Sequence, residues 1–128
     1  MIVFPIFMLL TAALVDFGML LRNYEVVTNA AREGARVAVL DANYTDADIE
    51  ARVDAYLASA GMAGTHTVTV ANVPVVTGAG SFTARSVTLD YTYQWAVLGG
   101  FATFFGGDFD TVALRARSVM RAETQAGL

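Results

Sequence analysis

The hydrophobic and polar positions divide the start of the chain into two unlike halves. Met1 to Val15, MIVFPIFMLLTAALV, carries no charge; Asp16 interrupts, and FGMLL carries the apolar run on to Leu21. From Arg22 the run becomes a stripe. Tyr24, Val27, Ala31, Val37 and Ala38 fall broadly on one side of a helical period, and Arg22, Glu25, Asn29, Arg32, Glu33 and Arg36 take the rest. No turn signal separates the halves. Pro5 lies in the first turn or two, where its missing N–H costs little, and Gly18 and Gly34 stand alone. The pattern therefore predicts one helix over residues 1 to 40, roughly 60 Å long at ~1.5 Å per residue. That is about twice the thickness of a bilayer core. The bald half suits lipid or the centre of a helical bundle or filament, and the striped half suits docking onto a globular body.

Beyond Leu40 the elements are shorter. Asp41 to Tyr44 reads as a turn, with Thr45 or Asp46 as N-cap of a second helix over about residues 46 to 60. Asp46, Asp48 and Glu50 load its positive end, Ile49, Val53, Tyr56 and Leu57 form its apolar side, and Gly61 closes it. From Thr65 the period changes to two, with Val68 and Val70 on one face and Thr67 and Thr69 on the other. Val73-Pro74 is expected to stop this strand and VVTGAGS to form a flexible connection. Phe82 to Trp95 alternates most clearly: Val87, Leu89, Tyr91, Tyr93 and Trp95 face one way, and Ser86, Thr88, Asp90, Thr92 and Gln94 the other. VLGGFATFFGGDFD reads as a loop with a helical turn tucked under the sheet, or as an exposed contact surface. In TVALRARSVMRAE, Val112, Leu114, Ala116 and Met120 alternate with Arg115, Arg117 and Arg121.

The expected fold is α+β: a long N-terminal helix, a short second helix and a three-stranded, mostly antiparallel sheet. Its aromatic face is covered by the striped half of the first helix, a lollipop layout. In the expected core, Val87, Leu89, Tyr91, Tyr93, Trp95, Val112 and Leu114 meet Tyr24, Val27, Ala31, Val53 and Leu57. Residues 1–21 are the transmembrane or filament-core half, and residues 22–128 the head.

Composition narrows the function. The 128 residues make one domain, and a mean hydropathy of +0.50 is high for a soluble one. Net charge is -4, and every basic residue is an arginine. An acidic chain without an arginine cluster speaks against nucleic acid. With no cysteine, thiol catalysis, disulfides and Cys-ligated zinc are excluded. No basic residue precedes Arg22 and the helical pattern continues past the apolar run, so a retained anchor fits better than a cleaved signal peptide.

Catalytic chemistry finds little support. His66, the only histidine, stands among threonines with no glycine-framed nucleophile in the sequence, and reads as structural. The Gly-Gly pairs follow no lysine and make no phosphate loop. Asp41 and Asn43 fit the start of a calcium loop, but its sixth position is Asp46 and its twelfth Arg52, so capping and solvation are preferred. Asp108 and Asp110 after Gly106-Gly107 are weak metal candidates against an ordinary turn. Asn43-Tyr44-Thr45 matches an N-glycosylation acceptor. No catalytic residue, cofactor or resident metal is expected.

The first helix carries the functional candidates. Residues 1 to 15 span only about 22 Å, so residues 16 to 21 must help if the segment crosses a core of ~30 Å. Phe4, Phe7, Leu10, Leu14 and Phe17, with the backbone features Pro5 and Gly18, are the expected assembly contacts. Asp16 is costly in an apolar stretch and calls for a partner, for which Arg22 of a neighbouring subunit is the candidate. Ala30, Gly34 and Ala38 are small residues at every fourth position, which lets another helix or sheet approach closely.

These residues also resemble a known family. Pro5 in the apolar run, the step Asp16-Phe17-Gly18 and the block Asn29-Ala30-Ala31-Arg32-Glu33-Gly34-Ala35-Arg36 resemble the N-terminal region of TadE-like proteins. These are pilin-like proteins of the tight-adherence pilus and secretion system. The likeness covers about the first third of the chain. It implies a prepilin cleaved by a prepilin peptidase, held in the bacterial inner membrane with its head outside the cytoplasm, and extracted into an extracellular pilus. The family's processing site and its glutamate a few residues ahead of Pro5 would precede Met1. Either the sequence starts late or the protein assembles without that carboxylate. The implied role is a structural subunit that polymerises into a helical filament through its apolar helix, with other pilins and assembly-machine proteins as further partners. An accessory minor pilin or membrane-anchored component is the alternative, and a membrane-tethered binding protein the third.

Overall fold

The computed structural model describes residues 1–40, 43–107 and 111–122. Helix α1 (Val3–Leu40) runs unbroken through Gly18 and through the change from bald to striped pattern. Helix α2 (Asp46–Ser59) starts on a capping box. The Thr45 hydroxyl accepts the Asp48 N–H at 3.3 Å while the Asp48 carboxylate accepts the Thr45 N–H at 2.9 Å. The Thr45 hydroxyl also donates to the Asp48 carboxylate at 2.7 Å, and that bond first, then the one from the Thr45 N–H, holds the Asp48 carboxyl below its ordinary pKa. At the other end Gly61 takes φ 74°, its N–H reaches the Ala58 carbonyl, and the Met62 N–H reaches that of Leu57 at 3.0 Å. This is a Schellman ending, and the left-handed φ is why a glycine stands there.

Three strands follow: β1 (His66–Thr77), β2 (Gly80–Tyr93) and β3 (Val112–Arg121), antiparallel in the order β1-β2-β3. Two local expectations are corrected. Val73-Pro74 does not stop β1, which continues with Pro74 opposite Thr83 to Thr77 opposite Gly80. β1 is an edge strand, where a missing donor is tolerated. VVTGAGS is no loose connection either. Most of it is strand, and Gly78 and Ala79 make a tight hairpin in which the Thr77 hydroxyl donates to the Gly80 carbonyl at 2.9 Å. Gly80 sits at φ 140°, a conformation that favours glycine.

One face of the sheet is the core. Leu89, Tyr91 and Tyr93 of β2 and Leu114 and Ala116 of β3 pack on Val27, Ala30 and Ala31 of α1 and on Val53 and Leu57 of α2. Val87, Ala35, Ala38 and Ile49 continue it toward the end of α1. Full burial of side chains such as Leu57 and Leu89 contributes about 1.5–3 kcal/mol each. Tyr24, expected inside, is half exposed; Ala30 takes that place beneath the sheet, with Leu20 and Val26 at the margin. Trp95 and Val112 are likewise at the margin, Trp95 meeting Tyr93 edge to face at 5.7 Å. The small residues Ala30, Gly34 and Ala38 are buried in this packing. A Cβ on Gly34 would fall 2.7 Å from Val53 Cγ2 and 3.2 Å from Val87 Cγ1, so its absence is what lets α2 and β2 close on α1. The close approach is made by the chain's own helix and sheet.

Helix α3 (Leu98–Phe104) lies between β2 and β3 in sequence and packs on α1 rather than under the sheet. Phe104 and Phe105 at its end are exposed.

Candidate functional site

The first half of α1 is bare. Its most apolar 18 residues average a hydropathy of 2.1 with only 11 % of them buried, and the helix is long and apolar enough to cross a membrane. Phe4 is 72 % exposed, and Phe7, Leu10, Leu14 and Phe17 are exposed around the helix. Side chains this apolar do not rest in water over such a length, so this surface is made for lipid or for other protein.

Asp16 is the exception, with none of its surface accessible. Its carboxylate accepts the Val97 N–H at 3.0 Å through one oxygen and the Leu98 N–H at 2.6 Å through the other. These are N–H groups that the start of α3 leaves open, and no side chain of Val97 caps them. The Tyr93 hydroxyl donates to the Asp16 backbone carbonyl at 3.5 Å. A carboxylate in the apolar segment is thus satisfied by the backbone of the chain's own third helix, and it fixes α3 against α1.

Arg22 is occupied too. Its guanidinium donates to the Ala60 carbonyl at 3.3 Å, at the negative end of α2. With both residues partnered inside one chain, the expected pairing of Asp16 with a neighbour's Arg22 loses its motive.

Where α3 leans on α1, an apolar groove of about 680 Å³ opens between Pro5, Ile6, Leu9 and Ala13 on one side and Leu98, Phe101, Ala102 and Phe105 on the other. Each wall is one face of a helix, in steps of three and four residues. The sequence offers the segment of the second wall as an exposed contact surface in one of two alternatives, without naming what it would face. Its helical spacing was legible, but what it faces depends on where Asp16 holds it.

His66 has company that the sequence did not reveal. Its Nε2 lies 2.7 Å from a carboxylate oxygen of Asp54 and its Nδ1 lies 3.0 Å from the Gly64 carbonyl, with Tyr91 stacked at 6.4 Å. Both ring nitrogens are engaged, so the pair ties α2 to β1. No group of three or more His, Asp or Glu converges as a metal site among the described residues. Asp108 and Asp110, the weak metal candidates, and Asp41 of the calcium-loop reading lie outside the described residues.

A long helix, bare over its first half and packed into a small α+β head over its second, defines a pilin-like fold. Within it, residues 1–36 match the family model of the TadE-like protein. That segment holds the bare half, Asp16 and most of the stripe; α2, α3 and the sheet lie beyond it. No curated protein and no solved structure matches the chain.

Proposed function

We propose that this protein is a structural, non-enzymatic pilin-like subunit whose bare helix halves bundle into the core of an extracellular filament while the heads face solvent. The carrying observation is the exposure of an apolar helix half rigidly continuous with a packed head. On the order of twenty apolar side chains leaving water give tens of kcal/mol before association costs, far more than a small polar head surface supplies. Before assembly the same surface rests in the inner membrane, head outside the cytoplasm, and in the filament its partners are copies of this chain and other pilins. The groove between α1 and α3 offers a neighbour's helix an apolar seat beside Pro5, Ile6 and Leu9. Residues 1–21 would be the part given up to membrane and filament, and residues 22–128 the head.

The match of the first 36 residues to a TadE-like family model also supports an accessory role in a tight-adherence machine. Imaging isolated fibres and assigning their repeating subunit separates the two. A fibre built of this chain is expected; fibres that contain it only in traces would make it an accessory component.

A further inference from the structure

The two sides of the head carry opposite charge. On α2, Asp46, Glu50 and Asp54 follow one another at four-residue steps and so form one stripe. Asp54 reaches His66 at the start of β1, which places the stripe at the β1 side of the head. Asp46 is held by Arg85 at 2.7 Å. Glu50, exposed between them, makes no hydrogen bond or ion pair among the described residues, and its charge acts on His66 only from a distance.

At the other edge of the sheet, β3 turns Arg115, Arg117 and Arg121 away from the core. Arg115 pairs with Asp90 across the strands, and Arg121 lies 4.7 Å over the Phe82 ring. Arg117, opposite Thr88 in the register, has no hydrogen bond or ion pair among the described residues. The stripe on α2 keeps a spare negative charge and the outer face of β3 a spare positive one, on different edges of one small head.

We propose that neighbouring heads join edge to edge, the arginine face of β3 on one copy against the Asp46–Glu50–Asp54 stripe of α2 on the next, with Arg117 and Glu50 meeting. The occupant is a second copy because each surface is the electrostatic complement of the other and a single head cannot bring them together. Such a contact is heterologous, since a patch meets a different patch, and it propagates instead of closing into a dimer. This rests on the filament reading, in which the helices supply the binding energy and the charges fix how successive heads are turned.

The chain has no cysteine, so engineered thiols report without background. Ala47→Cys, on the outer side of α2, and Val119→Cys, on the outer face of β3, are placed together in the full-length chain with every charge kept. The protein is oxidised in phosphatidylcholine vesicles, and in fibres where they form. A ladder of trimers and larger species is expected on a non-reducing gel. Adding Arg117→Glu should cut the multimers at least about tenfold, because like charges then face each other, and adding Glu50→Arg to that variant should bring the ladder back. The restored ladder also shows that the exchanged chain folds. Dimers alone, no cross-link, a ladder indifferent to Arg117→Glu, or a charge exchange that fails to restore it would each overturn the proposal. Absence of the ladder together with weaker binding of the Arg117→Glu chain to anionic vesicles would assign the arginines to lipid headgroups instead. A ladder in vesicles from a chain that never makes fibres would sink the filament reading and leave the edge contact standing; fibres without a ladder would do the reverse.

Discussion

Asp16 shows how far one residue can be read from its neighbours. A carboxyl group among Leu14, Val15 and Phe17 has to find hydrogen-bond partners, and that much follows from the cost of burying a polar group. Its donors are backbone N–H groups more than eighty positions away, at Val97 and Leu98, which no local pattern names. Replacing Asp16 by alanine leaves those N–H groups without their acceptor, a loss of about 1–3 kcal/mol if they stay buried. The outcome expected is local. Hydrogen exchange should quicken at the amides from Leu98 to Phe105 while the amides of β2 keep their protection. Unchanged exchange in α3 would show that the carboxylate does not hold it. Gly34 is the opposite case. Small residues at fourth positions announce a close approach, and the structure supplies Val53 and Val87 as the groups that come close.

At the scale of elements, α2 was legible except for its cap, which the sequence left between Thr45 and Asp46 and the structure gives to Thr45. Thr45 and Asp48 stand at the right spacing before an apolar side, and Gly61 ends the helix. Its attachment was not legible. Asp54 meets His66 across twelve residues, and both imidazole nitrogens face oxygen acceptors. A neutral imidazole donates from only one nitrogen, so the arrangement favours the charged ring. The His66 pKa is accordingly raised above its ordinary 6.5, first by the hydrogen bond to Asp54, with the Gly64 carbonyl and Glu50 adding to it and burial opposing. A raised folded value means that the bond's stabilisation is fully present below the unfolded pKa and fades as pH climbs through the folded one. Asp54 is half exposed, so the effect is about 1 kcal/mol or less. Urea unfolding followed from pH 5.5 to 8.5 should show the native chain losing stability relative to His66→Gln as pH rises. Parallel curves for the two chains would remove His66 from the contact.

For the whole molecule, the head's grip on α1 begins lower than the change of pattern at Arg22. Leu20 packs at the core margin and Asp16 is buried, so a cut at residue 21 would remove the holder of α3 together with the apolar surface. A chain lacking residues 1 to 13 keeps both. It is expected to stay in solution as a folded monomer with α3 in place, and to form no fibres when mixed with assembly components. Fibres from that shortened chain would mean that the bare helix is not their core.

The sequence by itself determined the elements and their sides. Apolar spacing of 3.6 and 2 marked the two long-range helices and the inward faces of β2 and β3, because burial of those side chains dominates the local choice of structure. It determined that half of α1 could not face water. Only the tertiary structure decided what depends on the whole chain coming together. Tyr24 is left half exposed because Ala30 sits where the sheet lands. Pro74 stays in a strand because β1 is an edge. FATFF stands beside α1 rather than under the sheet because a carboxylate and two N–H groups distant in sequence satisfy one another. Periodicity records which side of an element avoids water; it does not record which element arrives to cover that side, since many partners bury the same area equally well.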